Sequence, residues 1–375
     1  MKTRLPLSLR SLAVLLFLAS PVLLHAKTLN VPSAAYPTIQ SGVDAASDGD
    51  TVLVSDGTYT GDGNRDIDFH GKSLTVTSQN GPNKTIIDCG GYKTADDSSN
   101  HRGFYIHSNE KTATIGGFTV KNGYEDYISG TPDSGYGGGV CIKANTKNTS
   151  GTIILTNCTV SGNNAFNSGG GVYNHNFGSG TITLTNCTVS GNNALLIDGG
   201  ISNITDVDGT ITLANCTISG NTAHFFGGVE NGNLGTGTIT LTNCTVSGNT
   251  SKDGGGVYNS DSRDGASRLI NTIVYKNTGG EVTNDADSTW SATANNCDIQ
   301  GRYSGTGNID VNPQFANASK GDFHLKPGSP CSGAGTSVGA PATDKDGTPR
   351  PNPPSMGAYE PAAAPRPCPA APLRY

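Results

Sequence analysis

Carboxylates recur at one turn of a repeating chain: Asp206-Val207-Asp208-Gly209, then Asp261 and Asp264, then Asp285 and Asp287. Carboxylate oxygens converging from neighbouring turns are the hard donors that calcium takes. Asp206, Asp208, Asp261 and Asp264 are therefore the candidate metal set, with a solvated acidic edge as the alternative, and calcium is the only cofactor suggested. The turn before each Gly-Gly phrase is apolar instead. It carries Phe166, then Leu195-Leu196-Ile197, then His224-Phe225-Phe226, with Tyr124, Tyr127 and Tyr136 in a longer insertion upstream. Stacked on one edge, Tyr124, Tyr127, Phe166, Phe225 and Phe226 would present rings to a sugar or a protein partner; loops packing over one another are the alternative. No catalytic residue is assigned. Hydrolysis of a glycosidic bond needs two carboxylates across it, and Asp198, Asp206, Asp208 and Glu230 follow no recognisable motif. His175 and His224 have no acidic neighbour in sequence and read as surface residues. Asp66, Asp68, His70, His101 and His107 offer a further set, though their spacing does not demand a site.

The elements that must position these groups are given by a repeat. Thr-Ile-Thr-Leu-Thr-Asn-Cys-Thr-Val-Ser-Gly-Asn occurs intact at 181–192 and 238–249, with near copies at 152–163 and 210–221. Cys158, Cys187, Cys216 and Cys244 are spaced by 29, 29 and 28 residues, and a Gly-Gly phrase recurs in each unit. Self-similarity at this period marks a solenoid or array. Alternation of Ile, Leu or Val with Thr is the period-2 pattern of half-buried strands, and dense Gly and Asn exclude helical repeats. A unit of this length is too short for a four-stranded propeller blade. The expected fold is all-β: a single-stranded right-handed parallel β-helix, with handedness taken from the preference of parallel connections. Ile182 and Leu184 then point inward, the chain bends at Asn186, and Cys187 and Val189 point inward on the next face. Asn157, Asn186, Asn215, Asn243, Asn271 and Asn296 form a corner column, because Asn tolerates the left-handed conformation and its amide both donates and accepts. Two further Asn columns run through 163–277 and 174–284. The repeat cysteines read as small core hydrophobes. Cys89 with Cys141, or Cys331 with Cys368, could pair, which sequence leaves open.

Composition agrees with export. Gly supplies 52 of 375 residues, about twice the usual share, and charged residues only 14%. The formal charge of −6 includes three basic residues at the N-terminus, so the remaining chain is more acidic still. That disfavours nucleic acid and anionic lipid as partners. Residues 1–26 read as a signal peptide, with Lys2, Arg4 and Arg10 ahead of an apolar stretch from Leu12 to Leu24. Residues 27–360 form one β-helix domain. A short helix near Tyr36–Ala46 caps its N-terminal end, a last strand at Phe323-His324-Leu325 lies near the other, and a Pro/Ala-rich disordered tail spans 361–375. A monomer without a transmembrane segment after cleavage is expected.

The Gly-Gly-Gly-Val and Val-Ser-Gly-Asn phrases resemble the paired short repeats of polymorphic outer-membrane proteins. Tyr36-Pro37-Thr38-Ile39-Gln40, Gly49-Asp50-Thr51-Val52 and Gly57-Thr58-Tyr59 are similar to the opening of pectin-lyase-like β-helices. Lys326-Pro327-Gly328-Ser329-Pro330, Asp344-Lys345-Asp346-Gly347, Arg350-Pro351 and Met356-Gly357-Ala358-Tyr359-Glu360 resemble the C-terminal region of choice-of-anchor Q surface proteins. These resemblances imply a secreted or cell-surface protein, associated with the outer membrane or envelope. Its expected role is non-catalytic, adhesin-like binding of polysaccharide or a surface protein. A polysaccharide lyase or glycoside hydrolase is the runner-up, and a structural spacer the third reading. The lyase resemblance implies an Arg or Lys base with calcium, yet no Lys or Arg lies between Lys147 and Lys252. The Gly-His-Gly phrase of polygalacturonases and the Gln-Asp pattern of pectin esterases are absent as well.

Overall fold

The computed structural model describes residues 26–91, 100–107, 110–131, 133–144, 150–261, 265–285 and 292–361. Nearly all of the expected leader and tail, together with Asp264, Asp287 and Cys368, lie outside them. The chain winds as a parallel β-helix. Its strands stack into a ten-stranded first sheet, a nine-stranded second sheet and a seven-stranded third sheet, so that seven coils carry all three faces. A narrow four-stranded sheet lies at the corner between the second and third. Every ladder of the stack is parallel and in register, with Ile182 beside Ile153 and Ile211, and Leu184 beside Leu155 and Leu213. Inward positions are fully buried: Ile182, Leu184, Cys187 and Val189 in one coil, and Ile211, Leu213, Cys216 and Ile218 one coil on. Fixed alternation and a fixed repeat length make a one-residue slip costly, since it would send a whole apolar row to solvent.

The corner expected at the Asn-Cys phrase is present. Asn157, Asn186, Asn215, Asn243, Asn271 and Asn296 have φ between 50° and 55°. The Nδ2 of Asn186 donates to Asn157 Oδ1, that of Asn215 to Asn186, and that of Asn271 to Asn243, at 3.1–3.2 Å. Two deeper columns are more continuous. Asn163, Asn192, Asn221 and Asn249 are buried, and each gives both its backbone N–H and its Nδ2 to the Oδ1 of the next. Asn277 extends the row and ends on the carboxylate of Glu281. Asn174, Asn203, Asn231 and Asn259 form the third column at 3.0–3.2 Å, ending on Asn284. Such groups are costly inside a core unless paired, and the columns pair them except at the end of the third, where Asn174 Oδ1 has no partner among the described residues. All eight described cysteines are free thiols, Cys89 and Cys141 included. Burial raises the pKa of Cys141 to about 11 and that of Cys297 to about 12, so these two thiols are inert at neutral pH.

The ends differ from each other. A helix, Ile39–Ala45, opens with a capping box between Thr38 and Ser41 and buries Ile39 and Val43. Gly42 lets it lie close, since a Cβ there would stand 2.7 Å from Val31 and 3.0 Å from Val52. The C-terminal region does not add another coil. Phe323, His324 and Leu325 belong to the strand Asp322–Leu325, which pairs antiparallel with Phe315–Asn317. The following segment then runs back along the outside of the Asn corner. Thr336 bonds both ways with the side chain of Asn271, Asn243 donates to Ser355 O, and Asn215 donates to Thr343 O and accepts from Arg350. Lys345 reaches Asn186 O at 2.5 Å. This strap buries Asn215, Asn243 and Asn271 while Asn157 stays exposed. It also interrupts the corner ladder between Asn215 and Asn243. A buried ion pair of Arg350 and Glu360 (2.6 Å) and the turn around Asp344 knot it together.

Candidate functional site

The outer face of the third sheet concentrates the chemistry. One outward row runs Tyr105, Cys141, Tyr173, Ser202, Glu230, Tyr258, and the row beside it runs Lys143, His175, Ile204, Gly232, Ser260. The alternation that buries Val172 and Asn174 must turn Tyr173 and His175 outward.

A first cluster is built on Arg102. Its guanidinium grips Glu125 through two contacts, Nη2 to Oε2 at 2.5 Å and Nε to Oε1 at 2.9 Å, both side chains being buried. Arg102 also donates to Asp133 O and lies 4.7 Å from the centre of the Tyr105 ring. The carboxylate of Asp133 accepts from Tyr105 Oη and from Lys143 Nζ. Burial would raise the Asp133 pKa, but these two donors and the Lys143 charge hold it below the usual range. Burial and the hydrogen bond to Asp133 keep the Tyr105 phenol protonated. His175 sits next along. Its Nε2 is 2.7 Å from Asp206 Oδ1, its Nδ1 is 3.2 Å from Tyr173 Oη, and its ring stacks on Phe177 at 3.7 Å. Burial lowers the His175 pKa against the pull of Asp206, so the ring is neutral at pH 7. Nε2–H then donates to Asp206, and Nδ1 accepts from Tyr173.

A second cluster is a pair of buried acids. Asp198 is fully buried and Glu230 is 9% exposed. Ser168 Oγ lies 2.5 Å from Asp198 Oδ2, Ser202 Oγ 3.2 Å from Glu230 Oε2, and Ser260 Oγ 2.9 Å from Glu230 Oε1. Burial, then the charge of Glu230, push the Asp198 pKa well above the carboxylate range. The protonated form of Asp198 is favoured accordingly. Asp198 Oδ1 is buried with no hydrogen-bond partner among the described residues.

The backbone here departs from the repeat. Gly137, Gly169, Asp198, Phe226 and Gly254 occupy one column, linked coil to coil by hydrogen bonds, and all have φ between 43° and 69°. A Cβ at Gly169 would lie 2.8 Å from the Tyr173 Cβ, and one at Gly254 2.9 Å from the Tyr258 Cβ. Asp198 and Phe226 nevertheless carry side chains at this position. A left-handed Phe is strained by about 1–3 kcal/mol, and the Phe226 ring stacks on Tyr258 at 3.7 Å. Asp198 and Phe226 in place of Gly are the sequence signal that marked this site, and reading the acids for motifs missed it.

The edge of this face carries the apolar residues. Phe166 N bonds to Glu125 O, Leu196 N to Phe166 O, and Phe225 N to Leu196 O, so the loops stack coil on coil. Their side chains remain outward: Tyr127, Leu195 and Leu196 are 54%, 55% and 41% exposed, with Phe166 and Phe225 half-buried. Tyr127 and Phe166 are 6.0 Å apart, and Lys252 Nζ closes the row 5.9 Å from Phe225. Tyr124 stands in register with Asn164 and Asn193, off this stripe, and Phe226 turns to Tyr258. His224 is exposed, edge-on to Phe225, whereas His175 is not the surface residue its sequence context implied. Asp206 faces His175, Asp208 is exposed, and Asp261 lies in a strand opposite Asn233. No three His, Cys, Asp or Glu converge on a metal position among the described residues. Asp66 pairs with His101 at 2.6 Å, and Asp68 contacts His70 at 2.9 Å and His107 at 3.2 Å; His107 stacks on Tyr105. That set adjoins the first cluster.

No protein-family model matches the chain, and no curated protein matches it significantly. Among solved structures it is similar to the crystal structure of pectate lyase Pel9A, at 15% identity and a TM-score of 0.46, over 90% of this chain and 96% of that one. At that level of similarity the fold rests on its own topology and the site on its own geometry.

Proposed function

We propose that this is an exported glycan-binding protein that lays an extended sugar polymer along the edge and outer face of the third sheet. The solvent-facing row of exposed Tyr127, Leu195 and Leu196 with half-buried Phe166 and Phe225 carries this reading. Coils ~4.8 Å apart set these groups in a line along the helix axis. Beside them lies a face of phenols, hydroxyls and acids. Sugar rings have one apolar face and a hydroxyl rim, which an apolar edge next to polar groups matches. A neutral polymer fits better than an acidic one, because Lys143 is engaged by Asp133 and only Lys252, at one end of the row, is left beside it to meet carboxylates. The leader-like first 26 residues support export, and the repeat and C-terminal phrases support a place at the cell surface. On a glycan array with affinity electrophoresis, Phe166→Ala combined with Phe225→Ala should weaken binding at least tenfold while melting stays unchanged. Full binding by that double variant would reject the edge.

Polysaccharide cleavage is a second reading, favoured by one observation: Lys143 and the neutral His175 stand side by side on this face, with Tyr105, Asp133 and Asp206 holding them. Release of unsaturated or reducing ends by the wild type, lost in His175→Ala, would establish an enzyme.

A further inference from the structure

The geometry points to a second binding site away from the third sheet: a pocket near the C-terminal end of the second sheet that takes a phosphate monoester carried on a sugar-sized body. The outer face of that sheet runs Ser161, Ser190, Ser219 and Ser247 in register, and the next residue of the row is Tyr275. Each of those serines is followed by a left-handed Gly at φ 61–70°, whereas Tyr275 is followed by Lys276 at φ 58°. A Cβ at Gly191 or Gly248 would meet no atom within 4 Å. A side chain at this corner therefore stands in solvent, and Lys276 takes on left-handed strain with no packing to offset it. The departure coincides with a cavity of about 300 Å³ between the sheet and the hairpin strand Phe315–Asn317, lined by Tyr275, Lys276, Asn312, Gln314, Phe315 and Lys326. Gln314, just ahead of that strand, is left-handed as well, at φ 54°.

The lining sets the ligand. Among the described residues neither Lys276 nor Lys326 is paired with a carboxylate, and no acid lines the cavity. The acids that bear on Tyr275 are committed elsewhere: Glu281 to Asn277, Asp298 to Val311 N and Cys331, and Asp310 beside Arg302 at 3.9 Å. Asn312 Oδ1 accepts from Gln314 N–H at 2.9 Å, which leaves its Nδ2 to donate. Two uncommitted ammonium groups thus face one cavity in a chain of formal charge −6. A phosphate monoester carries about −1.5 to −2 charge at pH 7 and three acceptor oxygens, whereas a single carboxylate would leave one ammonium unmatched. The rings of Tyr275 and Phe315, with Lys276 Nζ 5.7 Å from the Tyr275 ring centre, offer the body of the ligand an apolar wall. The volume stands at the small end of ligand sites (about 300–1,000 Å³), which suits one ring and not a polymer.

The test titrates the mature protein with glucose 6-phosphate by calorimetry and ligand-observed NMR, with glucose, glucuronate and inorganic phosphate as comparison probes. Glucose 6-phosphate should bind with a Kd in the millimolar range or tighter, and each comparison probe at least tenfold more weakly. Lys276→Gly restores the residue of the preceding coils, so it should melt no lower than wild type and still lose binding at least tenfold. Lys326→Ala, at an exposed position, should lose as much. Phe166→Ala with Phe225→Ala should leave this binding unchanged, so the pocket and the glycan edge fail separately. Absence of glucose 6-phosphate binding by the wild type overturns the site, as does binding that survives in both lysine variants or is lost in the Phe166/Phe225 variant. Equal binding of inorganic phosphate or of glucuronate overturns the assignment to a phosphate monoester.

Discussion

The outer faces of the first and third sheets hang on one backbone frame and have opposite characters. On the first sheet the outward rows are Thr152, Thr181, Thr210, Thr238 and Ile154, Thr183, Thr212, Thr240. On the third they are Tyr173, Ser202, Glu230, Tyr258 and His175, Ile204, Gly232, Ser260. Inward rows are uniform on both, Ile153 to Ile239 on one and Val172 to Val257 on the other. The repeat is thus kept where it packs the core. A threonine ladder needs nothing from its solvent side, since β-branched side chains pair well with their neighbours along a sheet. Where the outward residues stop repeating, ion pairs, shifted pKa values and left-handed non-glycine residues appear together, the combination expected of a working site rather than a scaffold.

Substitutions can break or sharpen this contrast. The largest effect belongs to the interior that both faces share. Asn221→Leu removes the acceptor for Asn192 and a donor to Asn249. Each group left unpaired should cost about 1–3 kcal/mol, and chemical denaturation should show it; a wild-type midpoint would mean that the ladder is ornamental.

On the third sheet a smaller effect of opposite sign is expected. The folded-state pKa of Asp198 is raised by burial and by Glu230. Its favourable contribution is therefore complete below the unfolded carboxylate pKa of about 4 and is lost as pH climbs through the higher folded value. Asp198→Asn should melt above wild type, and the gap should widen from pH 5 to pH 8. A gap that is constant or narrows with pH would mean that Asp198 is not held protonated in the folded state. The smallest effect is on the first sheet, where Thr212→Val should change stability by no more than about 0.5 kcal/mol in urea titrations. A large loss there would show that the threonine face also does more than cover the core.

The fold was readable because its cause is local and repeated: alternation along each strand, Asn at each corner, Cys and Val just beyond it. The candidate edge was readable in part. Phe166 and Phe225 were found because they sit at one point of the repeat, but their neighbour Phe226, at φ 43°, leaves the edge to stack on Tyr258 of the third sheet's outer face. The acids were missed for a different reason. Asp198 and Glu230 are 32 residues apart and belong to different coils, so no linear motif joins them. Lys143 lies before the stretch that lacks Lys and Arg, yet the register sets it beside His175.

The amino-acid sequence alone determined the coil, its period, the inward rows and the left-handed Asn corner, because each follows from the pattern of a single repeat and recurs until it is unmistakable. Only the tertiary structure decided what stands beside what across coils. The register brought Asp198 to Glu230 and His175 to Lys143. The strap returning over the corner buried Asn215, Asn243 and Asn271, which differ in no local way from the exposed Asn157. Burial and pairing across coils are properties of the stack, and they set charge state and reactivity in ways that a period cannot encode.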